Sequence, residues 1–354
     1  MIVGIVESVL RYRTDFLKRY GSRLSDEHRH ALSAITRCRT EHYGQLSWHC
    51  GGCDQARHLY RSCGHRGCPR CQTQDNEQWL CRQKEKLLPV EYFMVTFTLP
   101  AELRAVAWKR QKAVYELLLS SAVTTCCDFA VNDKQLKGEI GLSVVLHTQT
   151  RRLDYHPHVH LIIPAGAIDQ KRRRWRVKSG GFLFPHKAPA KVYRSRMLKV
   201  LSLSGLLPAQ KLPKSWVVDC RSVGSGLPAL QYLSKYLYGG VIAEKQIVSD
   251  DAQRVTFSYR EGGSGKRLTR TVDGAHFVWL LIQHTLPKGF RRVRDYGFLH
   301  GNAKRKRLLV QWCLKVNIPV HKEFNKKPGV MCKSCGTSMI CQGFMALPMR
   351  FGYG

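Results

Sequence analysis

The segment LDYHPHVHLIIPAG, residues 153–166, places three histidines at alternate positions. Alternate side chains of a β-strand point to the same face, so His156, His158 and His160 share one face of this strand. The intervening residues are mostly apolar and supply the opposite face. Three imidazoles arranged in this way can share a cation, and we favour a metal site over a polar strand face or a satisfied core histidine.

The neighbouring segments define the fold class. Residues 91–99, EYFMVTFTL, are rich in β-branched and aromatic residues, and residues 141–148, GLSVVLHT, have a similar strand-forming composition. Both are predicted strands, and the second is joined to the histidine strand by a short polar loop, which favours an antiparallel sheet. Residues 101–130 and 188–204 are predicted helices. The sequence therefore predicts an α+β fold, in which helices flank an antiparallel sheet.

A block of cysteines precedes the sheet and reads WHCGGCDQARHLYRSCGHRGCPRC. It contains Cys50-x-x-Cys53 and, after 14 intervening residues, Cys68-x-x-Cys71. Two such knuckles can present four thiolates tetrahedrally to one ion, so we predict one structural zinc on these four cysteines. Cys63 lies beside the second knuckle and either replaces a ligand or serves a second metal. The alternative is a set of reduced core cysteines, which does not explain the doubled knuckle.

A second motif, GLPALQYLSKYLYGG, spans residues 226–240 and predicts a short helix. Pro228 suits a first helical turn and Gly239 suits the C-terminal cap. Tyr232 and Tyr236 are four residues apart, so they lie on one face of the helix, beside a stripe of leucines. The leucines of that stripe are Leu230, Leu233 and Leu237. A tyrosine pair with this spacing is, by itself, more often packing than chemistry.

The charge of the chain indicates its partner. The 354 residues include 58 Lys and Arg against 25 Asp and Glu, a net charge of +33, while 44% of residues are hydrophobic. Such a chain can fold around cores of its own, and its excess charge favours nucleic acid as partner, with an anionic membrane as the weaker option. The charge argues against an enzyme of small metabolites that lacks a large anionic partner.

Two basic runs are candidates for binding nucleic acid. Arg172, Arg173 and Arg174 precede Trp175, and Lys304 and Arg305 begin a second run. Cations that follow phosphates, with an aromatic ring available for stacking on bases, are what single-strand binding requires. The alternative is a solvated basic loop.

The termini and apolar runs give expectations about location. The N-terminal residues MIVGIVESVL lack the basic region of a signal peptide, and the longest apolar run near the C-terminus, residues 277–282, is far below the ~20 residues of a membrane span. Clustered CxxC pairs are typical of metal binding in a reducing compartment. We therefore expect a cytoplasmic, nucleoid-associated protein with no membrane partner.

Taken together, these motifs resemble the HUH-superfamily transposases of rolling-circle insertion sequences, which are related to Helitrons and to rolling-circle replication initiators. The resemblance covers most of the chain. It rests on an N-terminal zinc domain, the HUH motif at His158-Val159-His160, the YLxxY helix from Tyr232 to Tyr236, and the segment LPKGFRRVRDYGFL at residues 286–299.

The resemblance implies a fold and a chemistry. The fold is an HUH endonuclease core preceded by a small zinc-binding domain. The implied activity is nicking and rejoining of single-stranded DNA at hairpin-bearing element ends, with Tyr232 and Tyr236 as nucleophiles and a 5′-phosphotyrosine intermediate. Mg²⁺ or Mn²⁺ would lie on His158 and His160, with His156 or a Gln, Glu or Asp elsewhere as third ligand, although imidazole suits Zn or Mn better than Mg. Host replication machinery is a possible partner.

The chain departs from the family pattern at two places. A histidine precedes the second knuckle in the family, whereas this chain has Gly67, for which His65 could compensate. The family tail often carries further cysteine pairs, whereas here Cys332-x-x-Cys335 and Cys341 remain, so we do not expect a zinc site in the tail.

Four segments are expected along the chain. They are a helical and zinc-binding DNA-recognition domain over 1–89, the HUH domain over 90–245, a basic helical region over 246–324, and a cysteine-containing tail over 325–354. The competing functions are a plasmid or phage replication initiator, a metal-dependent hydrolase that uses HxHxH, and a non-catalytic zinc regulator that binds DNA.

Overall fold

The computed structural model describes residues 4–71, 73–185, 187–237, 241–316 and 329–345. Its helices are α1 (Ile5–Tyr20), α2 (Asp26–Thr36), α3 (Thr73–Lys84), α4 (Arg104–Lys109), α5 (Gln111–Asn132), α6 (Lys187–Leu203), α7 (Leu227–Leu237), α8 (Gly274–Ile282) and α9 (Lys304–Cys313). Its strands are β1 (Gln45–His49), β2 (Ala56–Tyr60), β3 (Tyr92–Thr98), β4 (Leu142–Gln149), β5 (Tyr155–Pro164), β6 (Gly166–Asp169), β7 (Arg174–Val177), β8 (Val218–Ser222), β9 (Ile247–Asp250), β10 (Arg254–Arg260), β11 (Arg267–Asp273), β12 (Val293–Tyr296) and β13 (Ile340–Met345).

The chain divides into two compact units. The first, here called the zinc unit, comprises residues 1–78, 238–285 and 320–354. The second, here called the sheet unit, comprises residues 79–237 and 286–319. Each unit therefore gathers segments that are far apart in sequence. The four domains expected from the sequence stay predictions, because packing does not test which segments fold alone.

A five-stranded sheet in the order β12-β4-β5-β3-β8 forms the centre of the sheet unit. All neighbouring strands are antiparallel, which confirms the prediction from the short loop before the histidine strand. Odd-numbered residues of β3 and β5, such as Phe93 and Leu161, are fully buried in a core that includes Leu118 of α5 and Met197 of α6. The helices thus pack against one face of the sheet, and even-numbered positions of β5 lie on the other.

Two segments differ from the sequence prediction. Within the region over 246–324 that the sequence predicts as basic and helical, β12 pairs with β4 between α8 and α9. Pro287 and Gly289 follow the end of α8 and interrupt a helix, and the short extended run after them completes the sheet. The first basic run, from Arg172 to Arg174, lies at the turn of a hairpin in which β6 pairs with β7.

One helix among the described residues, α5, is long and apolar enough to cross a membrane by length and composition alone. More than half of its apolar window is buried inside the protein. Its residues Val114, Tyr115, Leu118 and Leu119 belong to the core under the sheet. The apolar composition of α5 is therefore accounted for by packing within the sheet unit.

The zinc unit is held together by a buried carboxylate and two small sheets. Asp250 of β9 accepts hydrogen bonds from Ser8 (2.7 Å), Arg11 (2.7 Å) and Tyr12 (2.5 Å) of α1, and its side chain is fully buried. These hydrogen bonds fix α1 to the sheet β11-β10-β9. The other sheet has the order β13-β1-β2, so a strand from the far end of the chain pairs with the N-terminal hairpin.

Substitution of Gly297 tests how closely the sheet unit is packed around this residue. Its φ is +60°, and a Cβ atom there would lie 1.8 Å from the carbonyl oxygen of Ile140. We expect Gly297→Ala to lower the free energy of unfolding by about 2 kcal/mol or more, because both backbone strain and overlap oppose it. Gly301→Ala is the control, since open space surrounds that position. Equal stability of the two variants in urea titrations would contradict this account.

Candidate functional site

Three histidines converge on the face of the sheet opposite α5 and α6. His147 of β4 pairs directly with His158 of β5, and His160 follows on the same face. Ring centroids are 5.3 Å apart for His147 and His158, 4.6 Å for His147 and His160, and 4.9 Å for His158 and His160. One ligand nitrogen from each ring lies within 4.8 Å of the others, so the three imidazoles can hold a metal ion.

Hydrogen bonds orient two of these rings. The Nδ1 of His158 donates to the carbonyl oxygen of His156 at 2.7 Å, and the Nδ1 of His160 lies 2.8 Å from the hydroxyl of Thr96 on β3. In both rings Nδ1 is engaged, which favours Nε2 as the metal-binding atom, as is usual for histidine ligands with an outer hydrogen bond.

The electrostatic surroundings favour neutral imidazoles. Burial lowers the pKa of His160 to about 3, with smaller contributions from His158 and Arg221. Burial likewise lowers the pKa of His158 and, together with the neighbouring His160, His158 and Arg292, holds the pKa of His147 well below its usual range. A neutral ring offers a lone pair to a metal, so the three histidines are in the form that a ligand requires at neutral pH.

The structure differs from the sequence prediction in the third histidine of the group. His156 lies on the same strand face, but its Nδ1 is hydrogen-bonded to Arg104 at 2.6 Å, and it is outside the group of three. His147 takes that place, because antiparallel pairing sets it directly opposite His158. The predicted strand 141–148 contained His147, and extending the predicted hairpin to its register would have found it.

The tyrosine motif forms a helix in the sheet unit. The observed helix α7 is within one residue of the predicted one, and its leucines Leu230 and Leu233 are buried as expected. Tyr232 and Tyr236 occupy positions on this helix, but their side chains lie outside the described residues. The chain enters α7 through Gly226, which packs against the ring of Tyr92 on β3. Tyr92 lies on the same face of the sheet as the histidines, because Thr96, two positions along that face, pairs with His160.

The cysteines form two separate clusters of four, both in the zinc unit. One contains Cys38, Cys63, Cys68 and Cys71, and the other contains Cys50, Cys53, Cys332 and Cys335. Sulfur–sulfur distances are 3.4 Å for Cys38–Cys71 and 3.5 Å for Cys63–Cys71 in the first cluster, and 3.4 Å for Cys50–Cys335 and 3.5 Å for Cys53–Cys332 in the second. These distances are close to the ~3.8 Å edge of a tetrahedron with zinc–sulfur bonds of about 2.3 Å.

The structure differs from the single four-cysteine site predicted on the two knuckles, because it places Cys50 and Cys53 in one cluster and Cys68 and Cys71 in the other. The β1–β2 hairpin carries Cys50 and Cys53 away from the second knuckle, and each knuckle finds partners elsewhere. Cys63 is one of those partners, as one of the two sequence alternatives allowed. His65 is outside both clusters, and Cys38 completes the first. The sequence did not predict that Cys332 and Cys335 of the tail would complete the second cluster.

The two basic runs lie on the β6–β7 hairpin and on helix α9, which packs against that hairpin, and together they are here called the basic surface. The exposed residues Arg172 and Arg173 lie in the turn between β6 and β7, and Arg174 begins β7, while Lys304 and Arg305 begin α9. The thiol of Cys313 at the end of α9 donates to the carbonyl oxygen of Arg173 at 3.4 Å, which ties the helix to the hairpin. Sequence analysis predicted the two runs separately and had no means of joining them.

Trp175 has a different environment from the exposed ring that the sequence suggested. It is half-buried and packs edge-on against Phe298, with ring centroids 5.7 Å apart. It belongs to a small apolar cluster with Ile168 and Val310. The ring of Trp175 therefore packs the hairpin against α9. Less of its surface is available for stacking on bases than the sequence suggested. Binding of nucleic acid by Trp175 stays a prediction.

Comparison with known proteins identifies the class. A family model described as "Putative transposase" matches residues 141–307, and one described as "Transposase zinc-binding domain", of the IS91 type, matches residues 8–99. The chain is 32% identical over 334 residues to the "Putative transposase y4qJ" of Sinorhizobium fredii, covering 84% of this chain and 82% of the relative. It is 24% identical over 290 residues to the "Transposase for insertion sequence element IS801" of Pseudomonas savastanoi pv. phaseolicola, covering 76% and 69%. No solved structure matches the chain.

The fold, the cysteine clusters and these relatives define a DNA transposase with a zinc-binding domain. The chain belongs to the IS91-type family of Y2 transposases, in agreement with the resemblance drawn from its motifs.

The assignment of metal ligands gives a direct prediction. We expect His147→Ala to abolish Mn²⁺ binding at the histidine cluster, because it removes one of three converging nitrogens. His156→Ala removes a ring from the same face but outside the group, and we expect it to bind Mn²⁺ as the unaltered protein does. Titration followed by electron paramagnetic resonance measures both. A loss in His156→Ala as large as in His147→Ala would overturn this assignment.

Proposed function

We propose that this transposase nicks and rejoins single-stranded DNA at the ends of its element, through a 5′-phosphotyrosine intermediate. The observation that carries the proposal is the cluster of His147, His158 and His160 on the face of an antiparallel sheet opposite helices α5 and α6. The Y2 transposase family to which the chain belongs supplies the substrate class. Rolling-circle movement, with replication replacing the transferred strand, suits such a chemistry.

The path of the chain supports tyrosines as nucleophiles. Strand β8 pairs with β3, and β3 pairs with the histidine strand β5. After β8 the chain passes Tyr92 at Gly226 and begins α7 on the histidine face. A helix rises ~1.5 Å per residue, so Tyr232 and Tyr236 occupy backbone positions roughly 9 and 15 Å along the axis from Gly226. Thr96 pairs with His160, and Tyr92 at the start of β3 is four strand residues from Thr96. The distance from His160 to the start of β3 is therefore of the same order as these distances along α7.

The proposed reaction conserves the energy of the phosphodiester. The phenolic oxygen of one tyrosine loses its proton and forms a bond to the scissile phosphorus, while the bond from phosphorus to the 3′ oxygen breaks. The 3′ oxygen leaves as a hydroxyl, and the 5′ end stays on the protein. Attack of a 3′-OH on the phosphotyrosine reverses the step, so rejoining needs no nucleotide cofactor. The second tyrosine permits a second cleavage while the first link persists.

The histidine cluster fits a divalent ion, for which we propose Mg²⁺ or Mn²⁺. When bound, such an ion supplies Lewis-acid polarisation of the scissile phosphate and offsets the charge of the transition state. Three neutral imidazoles are a donor set that suits Mn²⁺ better than Mg²⁺. Arg292 lowers the pKa of His147 through its positive charge and favours an anionic phosphate there, whereas Arg221, which lowers the pKa of His160, lies 3.8 Å from the carboxylate of Asp219.

We propose that the basic surface holds the single strand in place for this reaction. Arg172, Arg174 and Arg176 all lie within 4 Å of one carboxylate, that of Asp169. Three guanidinium groups on one acid leave a positive excess at the hairpin, and Lys304 and Arg305 add to it from α9. Exposed arginines and lysines of this kind bind phosphates without regard to sequence.

The nuclease proposal is tested with single-stranded oligonucleotides from the element ends, labelled at either terminus, in Mn²⁺ or Mg²⁺. We expect an adduct that resists denaturant and carries the 3′-side fragment. Tyr232→Phe/Tyr236→Phe should abolish it, because no phenolic oxygen remains, and His158→Ala should reduce it by at least ~10²-fold.

Single Tyr→Phe variants report which tyrosine acts first, and Tyr238→Phe, just past α7, is the matched control. Adduct formation by the double variant would exclude these nucleophiles. No adduct on any oligonucleotide from the element ends would exclude the proposed reaction, and an adduct on a replication origin alone would favour a replication initiator.

The basic surface is tested by neutralising one cation from each of its two parts. We expect Arg172→Gln/Arg305→Gln to weaken single-strand binding and to reduce the slope of log K against log salt by roughly 0.7 for each phosphate that the variant no longer neutralises. Lys191→Gln/Lys199→Gln makes the same charge change at exposed positions of α6, on the core side of the sheet. Fluorescence anisotropy at several salt concentrations measures both, and equal slopes would rule out this surface.

A further inference from the structure

The second cysteine cluster lies partly outside the residues that the family's zinc-binding domain covers. That domain matches residues 8–99, which include Cys50 and Cys53 but leave out Cys332 and Cys335. Within the described part of residues 8–99, the other four cysteines of the clusters are already gathered around Cys71. Cys50 and Cys53 therefore have two thiol partners only if the tail is in place.

The two knuckles of this cluster have the same backbone hydrogen bonds. The amide of Cys50 donates to the carbonyl of Gln55 at 3.0 Å, and the amide of Asp54 donates to the carbonyl of Cys50 at 2.9 Å. In the tail, the amide of Cys332 donates to the carbonyl of Thr337 at 2.8 Å, and that of Gly336 donates to the carbonyl of Cys332 at 3.0 Å. The repeated offsets of five and four residues define two equivalent turns.

Each turn closes an antiparallel pair. His49 pairs with Ala56 around the first, and Met331 pairs with Ser338 around the second. Two CxxC turns that face each other at the ends of β-hairpins are the arrangement of zinc ribbons, in which the four thiolates bind one ion. The buried sulfurs Cys50 and Cys332 also pack with Met339 in a small apolar cluster.

The cluster is joined to a sheet that the tail completes. Strand β13 pairs with β1 from Gln45↔Met345 to His49↔Ile340, and Arg61 stacks over the ring of Phe344 at 4.8 Å. Without β13, β1 and β2 form a two-stranded hairpin, which is marginally stable at best. All six residues of β13 are exposed, so burial of β13 itself contributes little to holding it.

We propose that Cys50, Cys53, Cys332 and Cys335 bind a second structural zinc ion as a ribbon split across the chain, and that this ion fixes the tail strand β13 to the zinc-binding domain. Binding converts the four thiols to thiolates and releases their protons to solvent. The tail is thereby part of the zinc-binding domain.

Zinc content of the full chain tests the proposal. His158→Ala is used as background so that the histidine cluster does not take up zinc, and metal is counted by mass spectrometry after gel filtration. We expect two zinc ions per chain. Cys332→Ser/Cys335→Ser should lose one, Cys38→Ser/Cys71→Ser should lose the other, and the combined variant should lose both. Cys341→Ser is the control, because Cys341 is exposed and outside both clusters.

Other stoichiometries overturn the proposal. If Cys50, Cys53, Cys68 and Cys71 shared one ion, the chain would hold a single zinc and neither tail substitution would remove it. Hydrogen exchange gives a second readout, since loss of the ion should speed exchange of the β13 amides while the α1 amides stay protected. Unchanged β13 exchange in Cys332→Ser/Cys335→Ser would contradict the tethering role.

A conservative variant covers the case in which the serine variants fail to fold. Cys335→His keeps a zinc ligand of suitable reach, and we expect it to retain two zinc ions and slow β13 exchange. A Cys335→His chain that folds with a single zinc and still exchanges its β13 amides slowly would contradict the tethering role.

Discussion

The register between β4 and β5 is the constraint on which the site depends. Pairing of His147 with His158 brings an imidazole from one strand against two from the next, and a shift by one residue would send His147 into the core. The register is held from the other side of the sheet, where Val144, Leu146, Val159 and Leu161 are all fully buried. The apolar core therefore fixes the position of polar groups that it does not touch.

In both units, the groups that stabilise the fold are separate from the surface that they support. Odd-numbered strand residues of the sheet unit pack on α5 and α6, and the opposite face carries the histidines, Thr96 and the beginning of the tyrosine helix. In the zinc unit the small sheet β13-β1-β2 has little buried surface, and cysteine clusters take the role that a core has elsewhere. Small modules with few buried side chains are commonly stabilised by metals in this way.

Local patterns in the sequence predicted much of this architecture. Residue composition predicted the strands β3, β4 and β5, and the short loop between two of them predicted the antiparallel sheet. Helix α7 was predicted from its start and stop signals. The partner of His158 and His160, the two sets of cysteines and the joining of the hairpin to α9 depend on register and on packing between distant residues. Cys53 and Cys332 are 279 positions apart, and no local spacing relates them. Helix α9 and β12 share a basic, apolar mixture, so composition alone did not separate helix from strand there.

The cysteines of the second cluster are synthesised at very different times, because Cys50 and Cys53 lie near the start of the chain and Cys332 and Cys335 near its end. The whole sheet unit is encoded between Cys53 and Cys332, so the hairpin β1–β2 is synthesised long before its partner turn exists. Closing a loop of this length costs roughly 5 kcal/mol of chain entropy if the intervening residues are unfolded. Prior folding of the sheet unit shortens the free path and lowers that cost. The ribbon therefore closes only after the sheet unit has been synthesised, so completion of the zinc unit is a late event in biosynthesis.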